Sequence, residues 1–407
     1  MTSEFRVGLL GHGTVGGAFA RLLEERADGI AAATGRPAVL AGVLTRGEGD
    51  FEAILEGSDA IVELMGGLDP ARDLVLRALR AGRHVVTANK QLLSQHGDEL
   101  WAAAAETGAQ LRFEAAVAGV VPVVRVLAES LAGAHVERVH GIVNGTTNYI
   151  LTEMARTGAS YEDALAQAQR LGYAEPDPSE DVDGRDAAAK MAILARLAFG
   201  RPVHLDQVPY EGIEHIAPDD LEYAREFGLG LKLLGTAERV DGGLSVRVHP
   251  AFLYPGHPLA SVTGPFNAVT VESEAITEIT MSGPGAGGPQ TASAVLGDLV
   301  SVMTGQDVSR QPVADLEIVP DVASAFYLHL EVADEPGVLA QVAQILGLQG
   351  ASIKSVVQKG LGNEARLVMI MHPVLESKFF AAVELISALD FIRAAPRAIR
   401  VMEEEFV

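Results

Sequence analysis

The first part of the chain alternates between short apolar runs and longer amphipathic segments. The run 5–10 is followed by a glycine turn, after which Phe19, Leu22 and Leu23 recur at helical spacing. The alternation continues to about residue 113, with strand-like runs separated by segments of helical period. Repeated strand–helix units of this length predict a parallel, doubly wound sheet. We expect residues 1–137 to form this Rossmann-like α/β domain.

The rest of the chain shows two further patterns. Helical periods come first in the middle part, and strand-like runs follow between residues 232 and 281. This segregation predicts an α+β domain over residues 138–320 with an open, mostly antiparallel sheet, a type that often pairs across a two-fold axis. After a linker at 313–324, residues 326–407 show the order βαββαβ of a ferredoxin-like unit. We therefore expect three domains.

Composition narrows the class of protein. The chain has 407 residues, a formal net charge of −23 and no cysteine. The charge argues against nucleic acid or an anionic membrane as a partner, because phosphate neutralisation needs clustered lysine and arginine. Without cysteine there are no disulfides, thiolate metal sites or thioester intermediates. No apolar stretch approaches the roughly 20 residues of a spanning helix, and Glu4 is out of place in a secretory signal, so we expect a cytoplasmic protein.

A glycine signature opens the first predicted helix, directly after the first predicted strand: Gly11-His12-Gly13-Thr14-Val15-Gly16. In such a turn Gly11 permits the tight bend, Gly13 lets the backbone approach a pyrophosphate, and Gly16 packs helix against strand. The helix N-terminus at Thr14 and Val15 then offers N–H groups to the phosphates. Its context favours a dinucleotide-binding site over a purely structural turn.

The end of the second predicted strand bears on the choice of dinucleotide. An acidic residue there would hold the ribose 2′-hydroxyl of NAD, whereas an arginine accommodates the 2′-phosphate of NADP. The chain has Thr45-Arg46 at this point, with Glu48 and Asp50 only further on. We therefore expect NADP, with NAD as the alternative; the less favoured interpretation of Arg46 is a solvated surface residue.

Two more segments are candidates for the same site. Thr87-Ala88-Asn89-Lys90 follows a short strand at the sheet edge where ligands bind in this fold, although position alone fits a surface lysine equally well. The glycine-rich segment 283–289 precedes a helix and could close over a cofactor or merely turn the chain.

Carboxylates and a lysine cluster between residues 172 and 190. Asp186 and Lys190 are four residues apart and share one face of a predicted helix, which on spacing alone favours a surface ion pair. Against that interpretation, the residues after Lys190 are strongly apolar. A lysine held partly desolvated beside carboxylates is a plausible acid/base, and the carboxylates suit a cationic amine.

Taken together, these motifs resemble homoserine dehydrogenase along essentially the whole chain. The matching blocks are the glycine signature, the segment 87–90, Gly141-Ile142-Val143-Asn144-Gly145-Thr146-Thr147-Asn148, and residues 171–178 with Asp186 and Lys190. Residues 326–407 resemble an ACT domain, an amino-acid-sensing module, through Asp334-Glu335-Pro336-Gly337. Since the N-terminus leaves no room for a fused aspartate kinase, we expect the monofunctional form.

The resemblance implies NAD(P)H-dependent interconversion of L-aspartate 4-semialdehyde and L-homoserine, a step towards threonine, methionine and isoleucine. It implies Lys190 as the acid/base, with Lys90 between cofactor and substrate, and Glu175 and Asp186 at the amino acid end of the substrate. The residues expected to line the cofactor are Gly11, Gly13, Thr14, Val15, Gly16, Arg46, Thr87, Lys90, Gly172, Gly285 and Gly287.

The resemblance also implies a structural sodium ion, feedback inhibition by threonine and a homodimer or homotetramer. The sodium segment corresponds to Glu114, Val117, Gly119 and Val121, with Val120 where the family commonly has glycine. The ACT-like unit could instead serve oligomerisation alone. The alternative for the whole chain is a catalytically inactive nicotinamide-binding protein that senses an amino acid.

Overall fold

The amino-terminal third of the chain folds around a parallel sheet. The computed structural model describes residues 4–306, 313–361 and 363–402, so the predicted domain limits at residues 1 and 407 lie outside the described residues. The elements are β1 (Phe5–Leu10), α1 (Thr14–Glu25), α2 (Ala27–Thr34), β2 (Ala38–Leu44), α3 (Phe51–Gly57), β3 (Ala60–Glu63), α4 (Ala71–Arg80), β4 (His84–Thr87), α5 (Lys90–Thr107) and β5 (Leu111–Arg112). The strand order β2-β1-β3-β4-β5 confirms the doubly wound sheet.

This strand order indicates where on the first sheet a ligand would bind. The order reverses between β1 and β3, and crevices at such a switch point, outside the carboxyl ends of the strands, are where ligands bind. Gly11, Leu64 and Ala88 follow the strands that meet there. Asn89 caps α5 by accepting the N–H of Leu92 (3.1 Å), which fixes the start of that helix at Lys90.

The middle of the chain builds a second sheet covered by helices. Its elements are α6 (Val123–Arg125), β6 (Val136–Ile142), α7 (Gly145–Thr157), α8 (Tyr161–Leu171), α9 (Ser179–Val182), α10 (Arg185–Phe199), α11 (Pro218–Glu226), β7 (Gly230–Val240), β8 (Gly243–Leu253), β9 (Phe266–Ser273), β10 (Thr277–Pro284), α12 (Gly288–Met303) and β11 (Glu317–Ile318). Neighbours in the order β10-β9-β6-β7-β8 are all antiparallel, as predicted. Helix α12 leaves this sheet and packs its apolar face, including Val295 and Leu299, against Phe19 of α1.

The last part of the chain continues the second sheet. Its elements are β12 (Ala323–Ala333), α13 (Val338–Leu348), β13 (Ile353–Leu361), β14 (Glu364–Met371), β15 (Val374–Leu375), α14 (Glu376–Ser387) and β16 (Arg397–Met402). The order β16-β12-β14-β13 is the antiparallel arrangement that βαββαβ produces. β16 also pairs in parallel with β8, Arg400 opposite Ala251, so the described strands beyond β5 form one eleven-stranded sheet. Sequence patterning predicted a separate unit and did not reveal this join.

Candidate active site

Asp186, a buried residue in the first turn of α10, is the centre of a cluster of charged side chains. Its side chain is 3% exposed. Lys190, one turn later, places Nζ 2.6 Å from Oδ2 of Asp186, and Lys90 of α5 places Nζ 2.7 Å from Oδ1. Because the Lys190 side chain is only 13% exposed, the surface ion pair expected from spacing alone is wrong. The cluster joins the two sheet domains, since α5 belongs to the first and α10 to the second.

The start of α7 holds this cluster from a third direction. Asn144 caps α7 through its side-chain oxygen and donates its amide Nδ2 to Asp181 (2.7 Å) and to Asp186 (2.8 Å). Lys190 Nζ also donates to the backbone carbonyl of Val143 (2.8 Å). Neither Asn144 nor Asp181 was predicted as an individual site residue: Asn144 lies in a segment that resembles the family, and Asp181 is one of the carboxylates between residues 172 and 190. The approach of Asn144 depends on β6 and α7, which were not predicted.

Burial and the neighbouring charges shift the pKa values of three side chains in the cluster. Burial alone would raise the pKa of Asp186, but Lys190 and Lys90 outweigh it and hold that pKa below its usual value. Burial opposes the charged form of Lys90, yet the adjacent Asp186 carboxylate raises the pKa of Lys90. Burial and the neighbouring Asp186 raise the pKa of Asp181. Asp186 is therefore an ionised acceptor that holds both lysine side chains at the site.

A cavity of about 720 Å³ opens beside the cluster. Its size is that of small-molecule sites. Its wall combines basic, acidic and hydroxyl side chains, which suits a zwitterionic ligand. The lining residues are Lys90, Gln91, Ser94, Gln95, Glu180, Arg185, Asp186, Ala189, His204, Leu205, Asp206 and Tyr210.

The glycine turn after β1 has the geometry that its sequence predicts. Gly11 has φ +94°, and a Cβ there would lie 2.6 Å from the carbonyl oxygen of Leu64. A Cβ on Gly16 would collide with the Gly11 carbonyl, whereas a Cβ on Gly13 would meet no atom within 4 Å. Gly13 therefore leaves open space before α1, whose N-terminus has no side-chain cap. These features fit a pyrophosphate.

Thr87 belongs to a buried cluster whose acidic member was missed. The carboxylate of Glu63, wholly buried at the end of β3, accepts the Thr87 hydroxyl (2.5 Å) and the N–H groups of Met65 (2.8 Å) and Gly66 (3.1 Å). The Thr87 hydroxyl in turn accepts the Asn89 N–H (3.0 Å). Thr87 is thus a support for the turns at the sheet edge. Glu63 ends an apolar run, a signal that sequence reasoning could have used.

The glycine-rich loop before α12 lies against the dinucleotide turn. A Cβ on Gly288 would lie 3.1 Å from Cγ2 of Thr14. A Cβ on Gly285 would lie 2.6 Å from the amide of Asn267, whose oxygen and nitrogen are buried without a partner among the described residues. Gly287 has φ +133°. The loop therefore lies between the dinucleotide turn and Asn267 of β9, whose amide has unused hydrogen-bonding capacity.

Three predicted site residues lie outside the charge cluster. Arg46 is exposed beyond β2, and Gly172 ends α8 in the left-handed conformation with φ +77°. The side chain of Glu175 is exposed, while its backbone carbonyl accepts from Gln169 (3.2 Å). Over the residues that the structure describes, no hydrogen bond joins Glu175 to Asp186, whose carboxylate is instead bound by Asn144 and Lys190.

The segment expected to bind sodium is buried beside a second carboxylate. Glu114, 3% exposed, accepts the N–H groups of Val124 and Arg125, each at 2.9 Å. Burial and the nearby Asp298 raise the pKa of Glu114 to about 7. Ala118 and Gly119 turn with φ +56° and +68°, close to Gly285. No cluster of three or more His, Cys, Asp or Glu side chains that could hold a metal exists in the described part of the chain.

Comparison with known proteins gives consistent matches. The family model "Homoserine dehydrogenase" matches residues 122–300, and "Homoserine dehydrogenase, NAD binding domain" matches residues 11–114. A homoserine dehydrogenase of Corynebacterium glutamicum is 43% identical over 98% of this chain and 96% of its own length.

Solved structures with a similar fold are also homoserine dehydrogenases. A homoserine dehydrogenase from Thiobacillus denitrificans superimposes with a TM-score of 0.94 at 39% identity, covering 99% of each chain. A hyperthermophilic archaeal homoserine dehydrogenase in complex with NADPH matches with a TM-score of 0.65 at 27% identity, covering 76% of this chain and 100% of that one. Among the described residues, no helix combines the length and apolarity needed to cross a bilayer.

Proposed function

The chain belongs to the homoserine dehydrogenase family, and we propose that Lys190 is the acid/base in its interconversion of L-aspartate 4-semialdehyde and L-homoserine. The activity is that of an NAD(P)-dependent oxidoreductase. The observation that supports this role is the Lys90–Asp186–Lys190 cluster between the two sheet domains: Lys90 and Asp186 line the cavity, and Lys190 lies directly behind them, 2.6 Å from Asp186.

Each member of the cluster has a distinct task in the reaction. When bound, the nicotinamide supplies or accepts the hydride. Lys190 donates a proton from Nζ to the aldehyde oxygen, or receives it in the oxidative direction, while Asp186 and the Val143 carbonyl orient the ammonium. Lys90 reaches the same carboxylate from the cofactor domain. Asp186 and the exposed carboxylate of Glu175 take the ammonium end of the substrate.

The decisive assay follows NADPH absorbance with aspartate semialdehyde as substrate. We expect oxidation of NADPH with formation of homoserine. If the protein binds NADPH but does not turn over this substrate, the alternative of an inactive nicotinamide-binding amino-acid sensor replaces the proposal.

The cofactor is proposed to be NADP, held along the edge from Gly11 to Gly16 and covered by Gly172, Gly285 and Gly287. Support comes from the open space at Gly13, the uncapped N-terminus of α1 and the unpartnered amide of Asn267. Arg46 is exposed and therefore free to meet a 2′-phosphate. In the Arg46→Ala variant, we expect the ratio of the Michaelis constants for NADP and NAD to rise; an unchanged ratio would remove Arg46 from cofactor choice.

Sodium is proposed at Glu114 with the backbone carbonyls of Val117, Gly119 and Val121. The donor set fits a hard monovalent cation, because carboxylate and carbonyl oxygens are its preferred ligands. Burial, together with the nearby Asp298 carboxylate, raises the pKa of Glu114 to about 7, and a positive ion would stabilise the charged form of Glu114. The protein should therefore melt at a higher temperature in sodium chloride than in choline chloride, and Glu114→Gln should remove the difference.

Threonine is proposed as an effector bound to the ACT-like unit. Gly337, with φ +93°, precedes α13 without a side-chain cap, so the helix N-terminus can receive an amino acid carboxylate. Deleting this unit would remove the β16 pairing from one edge of β8, so a point variant is the better test. In Asp334→Ala, which alters the exposed turn, we expect inhibition by threonine to weaken while the uninhibited rate is retained. Inhibition identical to that of the wild type would contradict this site.

We also propose a cytoplasmic homodimer or homotetramer. β10 pairs with β9 on one side only among the described residues, and its outer face carries the 39% exposed Ile279. An edge strand of eight residues is a surface that proteins usually cover. Light scattering of the purified protein measures the oligomer directly, and a monomer would contradict the proposal.

A further inference from the structure

Arg400 connects the C-terminal part of the sheet to the catalytic cavity. It lies on β16, where its guanidinium is 10% exposed and binds two carboxylates. Glu376, at the start of α14, accepts Nε (2.8 Å) and the terminal nitrogen Nη2 (2.6 Å). The remaining terminal nitrogen, Nη1, donates to Glu211 at 2.7 Å. Glu211 belongs to the catalytic part of the chain, so this arginine bridges the two parts.

The segment around Glu211 is a short extended strip with a partner on each side. The Glu211 N–H donates to the carbonyl of Val248 on β8 (2.9 Å), and the Val248 N–H donates to Pro209 (3.0 Å). On the other side, the Ile213 N–H donates to the carbonyl of Val182 (2.9 Å). The strip 209–213 therefore lies between the sheet and the turn that precedes α10.

One neighbour of Glu211 lines the cavity, and the other packs against the turn that precedes α10. Tyr210 lines the cavity together with Lys90 and Asp186. Gly212 packs so closely on Val182 that a Cβ at this position would collide with the Val182 carbonyl and lie 2.7 Å from Cα of Asp183. Any displacement of the strip therefore moves a wall of the cavity and the turn immediately before Asp186.

We propose that Arg400 is a positioning residue, which through Glu211 fixes Tyr210 and the turn 182–184 and so sets the fit of the amino acid substrate. The inference rests on the proposed substrate site. A guanidinium suits this task because its planar donors engage two carboxylates at fixed angles. Since the strip contacts the substrate cavity and not the glycine turn at Gly11–Gly16, substrate binding should depend on it more than cofactor binding.

The test compares steady-state homoserine oxidation in wild type and in Glu211→Ala, measured by NADPH formation. We expect the KM for homoserine to rise about 3- to 10-fold, while kcat and the KM for NADP stay within about 2-fold. Glu211→Gln, whose amide oxygen still accepts from Arg400, should restore most of the wild-type KM. The matched control is Glu226→Ala, which removes another ion pair between the same two parts of the chain (Lys359 Nζ to Glu226, 2.5 Å) without touching the strip.

Arg400→Met tests the same bridge from its buried end. It leaves Glu376 without its main partner, so this variant could fail to fold, and Glu211→Ala then decides alone. If it folds, adding Glu211→Ala to it should raise the KM no further. The inference is overturned if Glu211→Ala leaves the KM for homoserine unchanged, or if Glu226→Ala raises it equally. Absence of homoserine oxidation in the wild type would instead contradict the proposed function.

Discussion

Two buried aspartates, each in the first turn of a helix, organise different regions of this molecule. Asp186 opens α10 beside the cavity, and Asp220 opens α11 beneath the C-terminal strands. Their side chains are 3% and 1% exposed. Burial alone would raise the pKa of either carboxyl, but positively charged or hydrogen-bonding partners hold both pKa values below normal. Each helix N-terminus adds a favourable dipole.

The partners differ in chemistry. Asp186 holds two lysine ammonium groups. Asp220 accepts the Tyr327 hydroxyl and Arg397 Nε, both at 3.1 Å, and lies 3.1 Å from Nδ1 of His329. An arginine does not give up its proton in proteins, and burial with the adjacent Asp220 raises the pKa of Tyr327. The same carboxylate geometry therefore supports proton exchange in one region and a fixed junction in the other.

We expect the largest effect on catalysis from replacing Lys190, one of the two lysines that bind Asp186. Lys190→Ala should lower kcat by roughly 100- to 10,000-fold, the range of a lost acid/base, while NADP binding survives. Lys190→Arg should not rescue the rate, because a guanidinium keeps its proton. Rates come from NADPH absorbance, and cofactor binding from calorimetric titration. Substantial turnover in either variant would reject the acid/base role of Lys190.

Replacing Asp220, whose cluster with Tyr327, His329 and Arg397 we call the junction, should reduce stability and leave catalysis intact. Asp220→Ala removes the carboxylate acceptor of the buried Tyr327 hydroxyl and leaves Arg397 the carboxylate of Glu331 at 4.0 Å, so we expect a loss of about 3 kcal/mol in the free energy of unfolding. The values of kcat and KM should be unchanged once the protein is folded. Urea unfolding and steady-state kinetics on one preparation measure both. A drop in kcat at unchanged stability would show that the two clusters do not divide their tasks as described.

The comparison also shows what the sequence could predict. The strand–helix alternation up to β5 and the pairing of Asp186 with Lys190 are local patterns, and both were found. Lys90 reaches Asp186 from a helix of the first sheet domain, and Asn144 does so from the start of a helix that was not predicted, so neither approach could be derived from spacing. Spacing alone favoured a surface ion pair between Asp186 and Lys190, and only the structure shows that this pair is largely shielded from solvent.

The junction was hidden for a similar reason. Tyr327 and Arg397 belong to β12 and β16, whereas Asp220 is about 100 residues or more away in sequence. The pairing of β16 with β8 is equally remote. Hydrophobic periodicity reports which face of an element is buried, but not which distant element buries it. The prediction of three domains therefore did not reveal that two of them share one sheet.

The smallest effect concerns a buried lysine without a carboxylate. Lys232 on β7 is 4% exposed, and its Nζ donates to the Asn148 side chain (3.1 Å) and the Val262 carbonyl. In the described part of the chain, no ion pair balances it, and burial lowers the pKa of Lys232 to about 8. The pKa of Lys232 is thus shifted in the opposite direction to the pKa of Lys90, which the carboxylate of Asp186 raises.

This contrast predicts a pH dependence of stability. Between about pH 8 and pH 10.4, the unfolded chain keeps the Lys232 proton while the folded protein releases it, so the free energy of unfolding should rise with pH in that window. Below pH 8 the penalty for the buried charge is fully present. Relative to Lys232→Met, which has no such group, the wild type should gain about 2 kcal/mol between pH 8 and pH 10 in urea unfolding. If the free energy of unfolding changes with pH in the same way in both proteins, the prediction is wrong and Lys232 is solvated or paired. A buried ammonium group in this fold would then not need a carboxylate partner such as Asp186.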